Sequence, residues 1–266
     1  MKHVTGSAAE AAMQAVGDQV GQVFGELFGS RRTKPRASRS GDRLSADRIV
    51  EVAIGQMRDR GYDAVTMRSI AKELGTGPAS LYAHVANRAE LDQLVTGRIC
   101  AQIRIPDPDP EHWDAQLRQS LVDMLALYRE HPGVARCTMG MIPLQPGVLV
   151  VSERLIALLK AGGVPDQHCA WFIDVASLYV AGVAIEEDIW RERHLGQDPD
   201  EGGTLQHVEQ EVVVEQVRNV FANLPAEHFP LLSALAVPMT SGDADDRFGF
   251  GVDLLVAGLK ALAAQG

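Results

Sequence analysis

The chain has 266 residues, 46% of them hydrophobic, and a net charge of −10 at neutral pH, which is enough length and apolar content for one large core or two modest ones. Its three cysteines, Cys100, Cys137 and Cys169, are odd in number and form no Cys-x-x-Cys pair, which argues against a disulfide framework or a zinc knot and fits a reducing cytoplasm. No uncharged apolar run of about 18 residues and no secretory leader stand out, so neither export nor a membrane partner is expected.

The charge is unevenly placed. Residues 1–30 carry net −2, residues 31–104 net +6 and residues 105–266 net −14. A basic module of that kind neutralises phosphates, while an acidic remainder limits indiscriminate binding to nucleic acid. Apolar spacing is helical almost throughout and no period-2 run is bounded by turns, so the fold class is expected to be all-α.

Residues 9–28 place Met13, Val16, Val20, Val23 and Leu27 on one helical face, which Gly17, Gly21 and Gly25 weaken. Residues 30–41 are small, polar and basic, without an apolar face, and read as an arm. From residue 44 the pattern tightens. Ser45 caps a helix carrying Ile49, Val52, Ala53 and Met57 that stops at Gly61. Thr66 caps a second, with Met67, Ile70, Ala71 and Leu74 at i, i+3, i+4 and i+7. After the turn Gly75-Thr76-Gly77, Pro78 opens a third helix to about Val85, and Asn87 with Glu90 is a capping box for a fourth through Ile99.

The run Ile105-Pro-Asp-Pro-Asp-Pro110 cannot be helical and reads as an exposed linker between domains. Beyond it, helices are expected near 111–130, 133–140, 147–161, 166–193, 205–223, 226–235 and 245–264, with glycine or proline at the breaks. The breaks divide the chain into an extension at 1–43, a basic helical domain at 44–104 and a larger helical domain at 105–266.

Two short helices around a glycine turn have the dimensions of a helix-turn-helix whose second helix lies in the major groove. With Leu81 and Val85 turned inward, Thr76, Ala79, Ser80, Tyr82, Ala83 and His84 face DNA, and Arg88, beside the Asn87 cap, forms a phosphate clamp with the positive end of the fourth helix. The eight histidines show no His-x-x-x-His spacing, and no nucleophile or acid–base constellation is evident, so no metal, no cofactor and no enzymatic activity are expected. Glu186-Glu187-Asp188 reads as a solvated helix face.

The stretch Ser45–Ile99 resembles the N-terminal domain of TetR-family transcriptional regulators, through Gly61-Tyr62, Thr66-Met67, Ile70-Ala71, Leu74-Gly75, Leu81-Tyr82, His84-Val85, Asn87-Arg88 and Glu90-Leu91. The resemblance implies phosphate contacts from Thr66, Tyr82, His84 and Arg88, and base contacts from Thr76, Gly77, Ala79 and Ser80. Gly77 and Ala83 depart from the longer residues of many relatives, which shifts weight to DNA shape. The segment Phe248–Leu255 with Gly258-Leu259 resembles the end of the Tet repressor-like C-terminal domain. That resemblance implies a homodimer built by helices 166–193 and 245–264, a palindromic operator, and a small-molecule inducer that releases the repressor. The inducer site is expected among helices 111–193, where Trp113, Tyr128, Met139, Met141, Trp171 and Trp190 accompany the polar Gln145, His168 and Asp174. Two other classes stay open: an architectural DNA binder without effector, and a helical enzyme with an unrecognised site.

Deleting residues 1–40 should weaken DNA binding and flatten the slope of log K against log salt by several units, since each basic residue of the arm that touches a phosphate contributes about 0.9. A salt titration with an unchanged slope would assign the arm no phosphate contact.

Overall fold

The structure, a computed structural model, describes residues 44–142, 144–194 and 204–265 together with Ala15; apart from Ala15, the amphipathic segment at 9–28 and the basic arm lie outside the described residues. Among the described residues every regular element is helical. The chain divides into two compact units, one running to Ile189 and resuming at Leu255, the other spanning Trp190–Leu254.

The first unit begins with α1 (Ala46–Arg60), capped where Ser45 accepts from the Arg48 N–H. Asp47 near its start and Arg58 and Arg60 at its end complement the helix dipole. It stops at Gly61, whose φ of +79° suits glycine. Thr66 then caps α2 (Met67–Glu73) in a reciprocal box: its hydroxyl accepts from the Ser69 N–H at 3.0 Å, and Ser69 Oγ accepts from the Thr66 N–H at 2.9 Å. Pro78 opens α3 (Pro78–Leu81), which is shorter than the expected helix to Val85. Only Leu81 and Val85 are buried there, and the chain reaches Val85 through turn bonds from His84 N–H and Val85 N–H to Leu81 O.

Helix α4 (Arg88–Cys100) starts with a variant of the expected capping box: Asn87 accepts from the Glu90 N–H, but the Glu90 carboxylate reaches back to the Ala86 N–H, one residue further than the usual partner. It buries Leu91, Val95 and Ile99 together with the polar Asp92, Gln93 and Thr96, because it lies against α1 on one side and the helices beyond residue 130 on the other. Gln93 donates to Ile142 O at 3.0 Å and Thr96 to Asp92 O at 2.8 Å, so both buried polar groups are satisfied.

The segment expected as an exposed linker is instead stapled to the body. Ile105 is buried, Arg154 donates to its carbonyl, and Gln116 donates to Asp107 O while accepting from the Asp109 N–H. Proline prevents helix there, but side chains replace the missing ladder bonds. Next come α5 (Trp113–Glu130), α6 (Val134–Cys137), α7 (Pro146–Ala161) and α8 (Asp166–His194). Where α4 crosses α7 the backbones meet at glycines: a Cβ on Gly147 would sit 2.4 Å from the Gly97 carbonyl oxygen. By length and composition alone α8 would pass for a membrane span, with a window of mean hydropathy 1.5, although Asp174 and Glu186 keep its uncharged run short. It buries Phe172, Ala176, Val180 and Ala184 at helical spacing, the pattern of a core helix.

The second unit holds α9 (Thr204–Ala222), two short helices α10 (Pro230–Ala234) and α11 (Ala236–Met239) where one was expected, and the start of α12 (Ala244–Ala263). Arg218 of α9 donates to the buried Thr240 hydroxyl at 2.9 Å.

Two glycines make a matched test of packing. A Cβ on Gly162 would lie 2.2 Å from the Trp113 indole, whereas one on Gly55, inside α1, meets nothing within 4 Å. Gly162→Ala should therefore destabilise by about 1–3 kcal/mol through overpacking, and Gly55→Ala should stabilise by about 0.5–1 kcal/mol by helix propensity. Denaturant melts of the two variants check both signs.

Candidate nucleic-acid interface and effector region

Helices α2 and α3 with their turn carry the expected DNA-facing residues outward. Thr66, Gly77, Ala79, Ser80, Tyr82 and His84 are exposed and Thr76 is half-buried, while Leu81 and Val85 anchor the recognition helix from beneath. The open φ of Gly75, +64°, turns the chain between the two helices. Arg68 and Lys72 were missed in the sequence reading: both are exposed on α2, one turn apart, and neither has a hydrogen-bond or ion-pair partner among the described residues. Their signal was present as two cations at i and i+4 following the Thr66 cap.

Arg88 is placed differently from the expectation of a phosphate clamp. Its guanidinium turns inward, with Nε donating to Asp92 at 2.7 Å, Nη1 donating to the Val65 carbonyl, and the plane lying 4.1 Å from the centre of the Tyr62 ring. The Tyr62 hydroxyl donates to the other Asp92 oxygen at 2.8 Å. Asp92, only 7% exposed, is thus the shared acceptor of an arginine and a phenol. Burial of the Arg88 guanidinium opposes its charge, but the hydrogen bond to Asp92 and the carboxylate's charge outweigh it and hold its pKa above the ordinary arginine value. Burial, reinforced by the hydrogen bond to Asp92, pushes the Tyr62 phenol up to about 12.

The short helix α6 joins this cluster. Cys137 Sγ lies 3.5 Å from Asp92 and 3.9 Å from Met57 Sδ, Arg136 pairs with Asp63 at 2.9 Å, and a Cβ on Gly133 would touch Met57 and Tyr62. The turn is held from behind by α8. Asp188 accepts from the Gly133 N–H at 2.7 Å, and Glu187 makes a two-pronged pair with Arg129 at 2.7 and 2.8 Å. The acidic run at 186–188 is thus a solvated face only at Glu186: Glu187 is half-buried, and Asp188, 3% exposed, caps a buried N–H that sequence spacing does not reveal.

Of the residues expected around an effector, the structure brings His168 and Trp171 together and holds Trp113 and Tyr128 apart. Trp113 and Tyr128 are buried in the core at opposite ends of α5, about 22 Å apart along its axis. Trp113 packs against Gly162, and burial pushes the Tyr128 phenol, hydrogen-bonded with Cys100, far above its ordinary value. Met139 is exposed and Met141 half-buried in the stretch after α6, and Gln145 precedes α7 against Gly97. His168 meets Trp171 edge to face at 5.9 Å, and its Nδ1 is enclosed without a hydrogen-bond partner among the described residues. Trp171 is 60% exposed, Asp174 is exposed beside it, and Trp190, 51% exposed, belongs to the second unit. On α8, Trp171, Val175 and Leu178 form an open apolar stripe at i, i+4 and i+7; on α12, Phe250 and Leu254 are exposed four residues apart.

The sequence matches two family patterns: residues 49–92 that of bacterial regulatory proteins of the tetR family, and residues 105–263 that of the tetracyclin repressor-like C-terminal domain. The HTH-type transcriptional repressor DrrR1 of Streptomyces coeruleorubidus is 30% identical over 84% of this chain and 79% of its own length. The class G tetracycline repressor protein of Vibrio anguillarum is 25% identical over 84% of this chain and 96% of its own. Among solved structures, ActR of Streptomyces coelicolor in complex with actinorhodin superposes with a TM-score of 0.71 at 37% identity, covering 83% of this chain and 99% of that one.

The Tyr62 phenol titrates higher when folded than its ordinary value of 10, so the stability it lends is complete below pH 10 and is lost as the pH climbs through about 12. Tyr62→Phe should be less stable than wild type at pH 8 and lose less of its denaturation midpoint between pH 10 and pH 12. Parallel losses in the two proteins would show that another group governs the alkaline limb.

Proposed function

This chain belongs to the TetR family of transcriptional regulators, and we propose that it is a homodimeric repressor that a small molecule releases from a palindromic operator. The observation that carries this reading is the outward face of α2, its turn and α3, where Thr66, Thr76, Gly77, Ala79, Ser80, Tyr82 and His84 stand on a rigid three-helix support. Small side chains at 77, 79 and 80 let the backbone approach base edges, while Thr66, Tyr82, His84, Arg68 and Lys72 are suited to phosphates. Residues 44–104 act as the reading head, residues 105–266 bind effector and partner, and the cell compartment is the cytoplasm, where the operator is.

Apolar stripes on α8 and α12 support dimerisation, because isolated exposed leucines need no explanation but helical rows of them do. The effector is proposed to be a fused-ring aromatic molecule, the class shared by actinorhodin, bound in a similar structure, and tetracycline, named in several relatives. Such a ligand favours a body geometry in which the two reading heads are wrongly spaced, and by reciprocity DNA weakens its binding.

The test is a titration with a duplex enriched from random DNA by the wild-type protein. Ser80→Ala should change preference at one base position by about 1 kcal/mol, and saturating actinorhodin should lower affinity by roughly tenfold or more, a coupling of about 1–3 kcal/mol. Failure to enrich any sequence would overturn the repressor reading. Affinity unmoved by actinorhodin and tetracycline would overturn the effector class and favour an architectural binder.

A further inference from the structure

A guanidinium offers five donors in a planar fork, whereas an ammonium is a compact point charge. At Arg88 the fork is used inward: one edge meets Asp92, a second nitrogen meets the Val65 carbonyl, and the face stacks on Tyr62. Val65 is the residue immediately before the Thr66 cap, so this grip sets the position and direction of the chain as it enters the helix-turn-helix. Asp92, the counter-charge, also receives the Cys137 thiol from α6, which ties the same point to the body. A side chain spent on three internal partners leaves the groove-facing cations to Arg68 and Lys72, which are exposed on α2.

We propose that Arg88 is a positioning residue for DNA binding: it holds the Val65–Thr66 backbone from inside, anchored on Asp92, and does not grip phosphate. The inference rests on the DNA-binding reading above and changes what the charge at this position does. A phosphate contact needs a cation, which lysine still supplies as a point charge, and its removal lowers the salt slope; an internal fork on three partners needs the planar guanidinium, and its removal leaves that slope alone.

Arg88→Lys, Arg88→Gln, Asp92→Asn and Arg68→Ala would be titrated against the enriched duplex at several salt concentrations. Arg88→Lys should lose tenfold or more in affinity despite keeping its charge. Arg88→Gln and Asp92→Asn should weaken binding with the slope of log K against log salt unchanged, whereas Arg68→Ala should lower that slope by about 0.9, as one lost phosphate contact does. Amide exchange reads the same grip without DNA: Thr66–Ile70 should exchange faster in Arg88→Lys while the amides of α1 keep their protection. Where Arg88→Gln does not fold, Arg88→Lys decides. Wild-type affinity in Arg88→Lys, or a slope reduced by about one in Arg88→Gln, would overturn the inference. A wild-type protein that binds no duplex would sink the regulator reading instead, and the exchange rates at Thr66–Ile70 would then settle Arg88 by themselves.

Discussion

A carboxylate buried without compensation costs several kcal/mol, and Asp92 sits almost wholly inside the first unit. It is met by Arg88 at 2.7 Å and by the Tyr62 hydroxyl at 2.8 Å, with the Cys137 thiol beside it. These three partners come from three places: the first turn of α4, the 3-10 turn that follows α1, and α6. Satisfying one buried charge therefore fixes how the DNA-reading helices, the connecting helix and the body meet. The penalty for leaving Asp92 unpaired favours that meeting over any arrangement that draws one of the three donors away.

The same economy recurs around α6. Its preceding Gly133, at a φ of +84°, brings backbone so close to Met57 and Tyr62 that a side chain would press on both. The N–H exposed by that turn is accepted by Asp188 of α8. The turn is thus a wedge between the reading head and the long helix of the body, and its polar groups are satisfied on both sides. Buried polar groups with complete partners define a unique geometry more sharply than apolar contact does, since apolar surfaces tolerate sliding.

Helix α4 is clamped along its length as well. Gln93 donates to Ile142 O near its middle, and Gly97 meets Gly147 of α7 near its end, backbone against backbone. A helix so held moves with the elements it touches, which is what a connector between an effector-binding body and a DNA-reading head requires.

Much of this was legible in the residues alone, for reasons that are local. Ser45, Thr66 and Asn87 cap their helices because a short side-chain oxygen can reach the third N–H in any surroundings, and Gly61 and Gly75 end helices because only glycine accepts their φ without strain. Helical spacing identified the inward Ile49, Met57, Ile70, Leu81 and Val85, and hence the outward face that remains for DNA. Tertiary structure alone decided what the long side chains do. Arg88 next to a helix cap looks like a phosphate ligand until Val65, Tyr62 and Asp92, 23, 26 and 4 residues away, are brought around it. Asp188 looks solvated until Gly133, 55 residues earlier, presents an N–H to it. Trp113 and Tyr128 look like a shared aromatic site until the straight helix between them holds them about 22 Å apart. Caps and turns are written within four residues, whereas the partners of a buried charge lie wherever the fold delivers them.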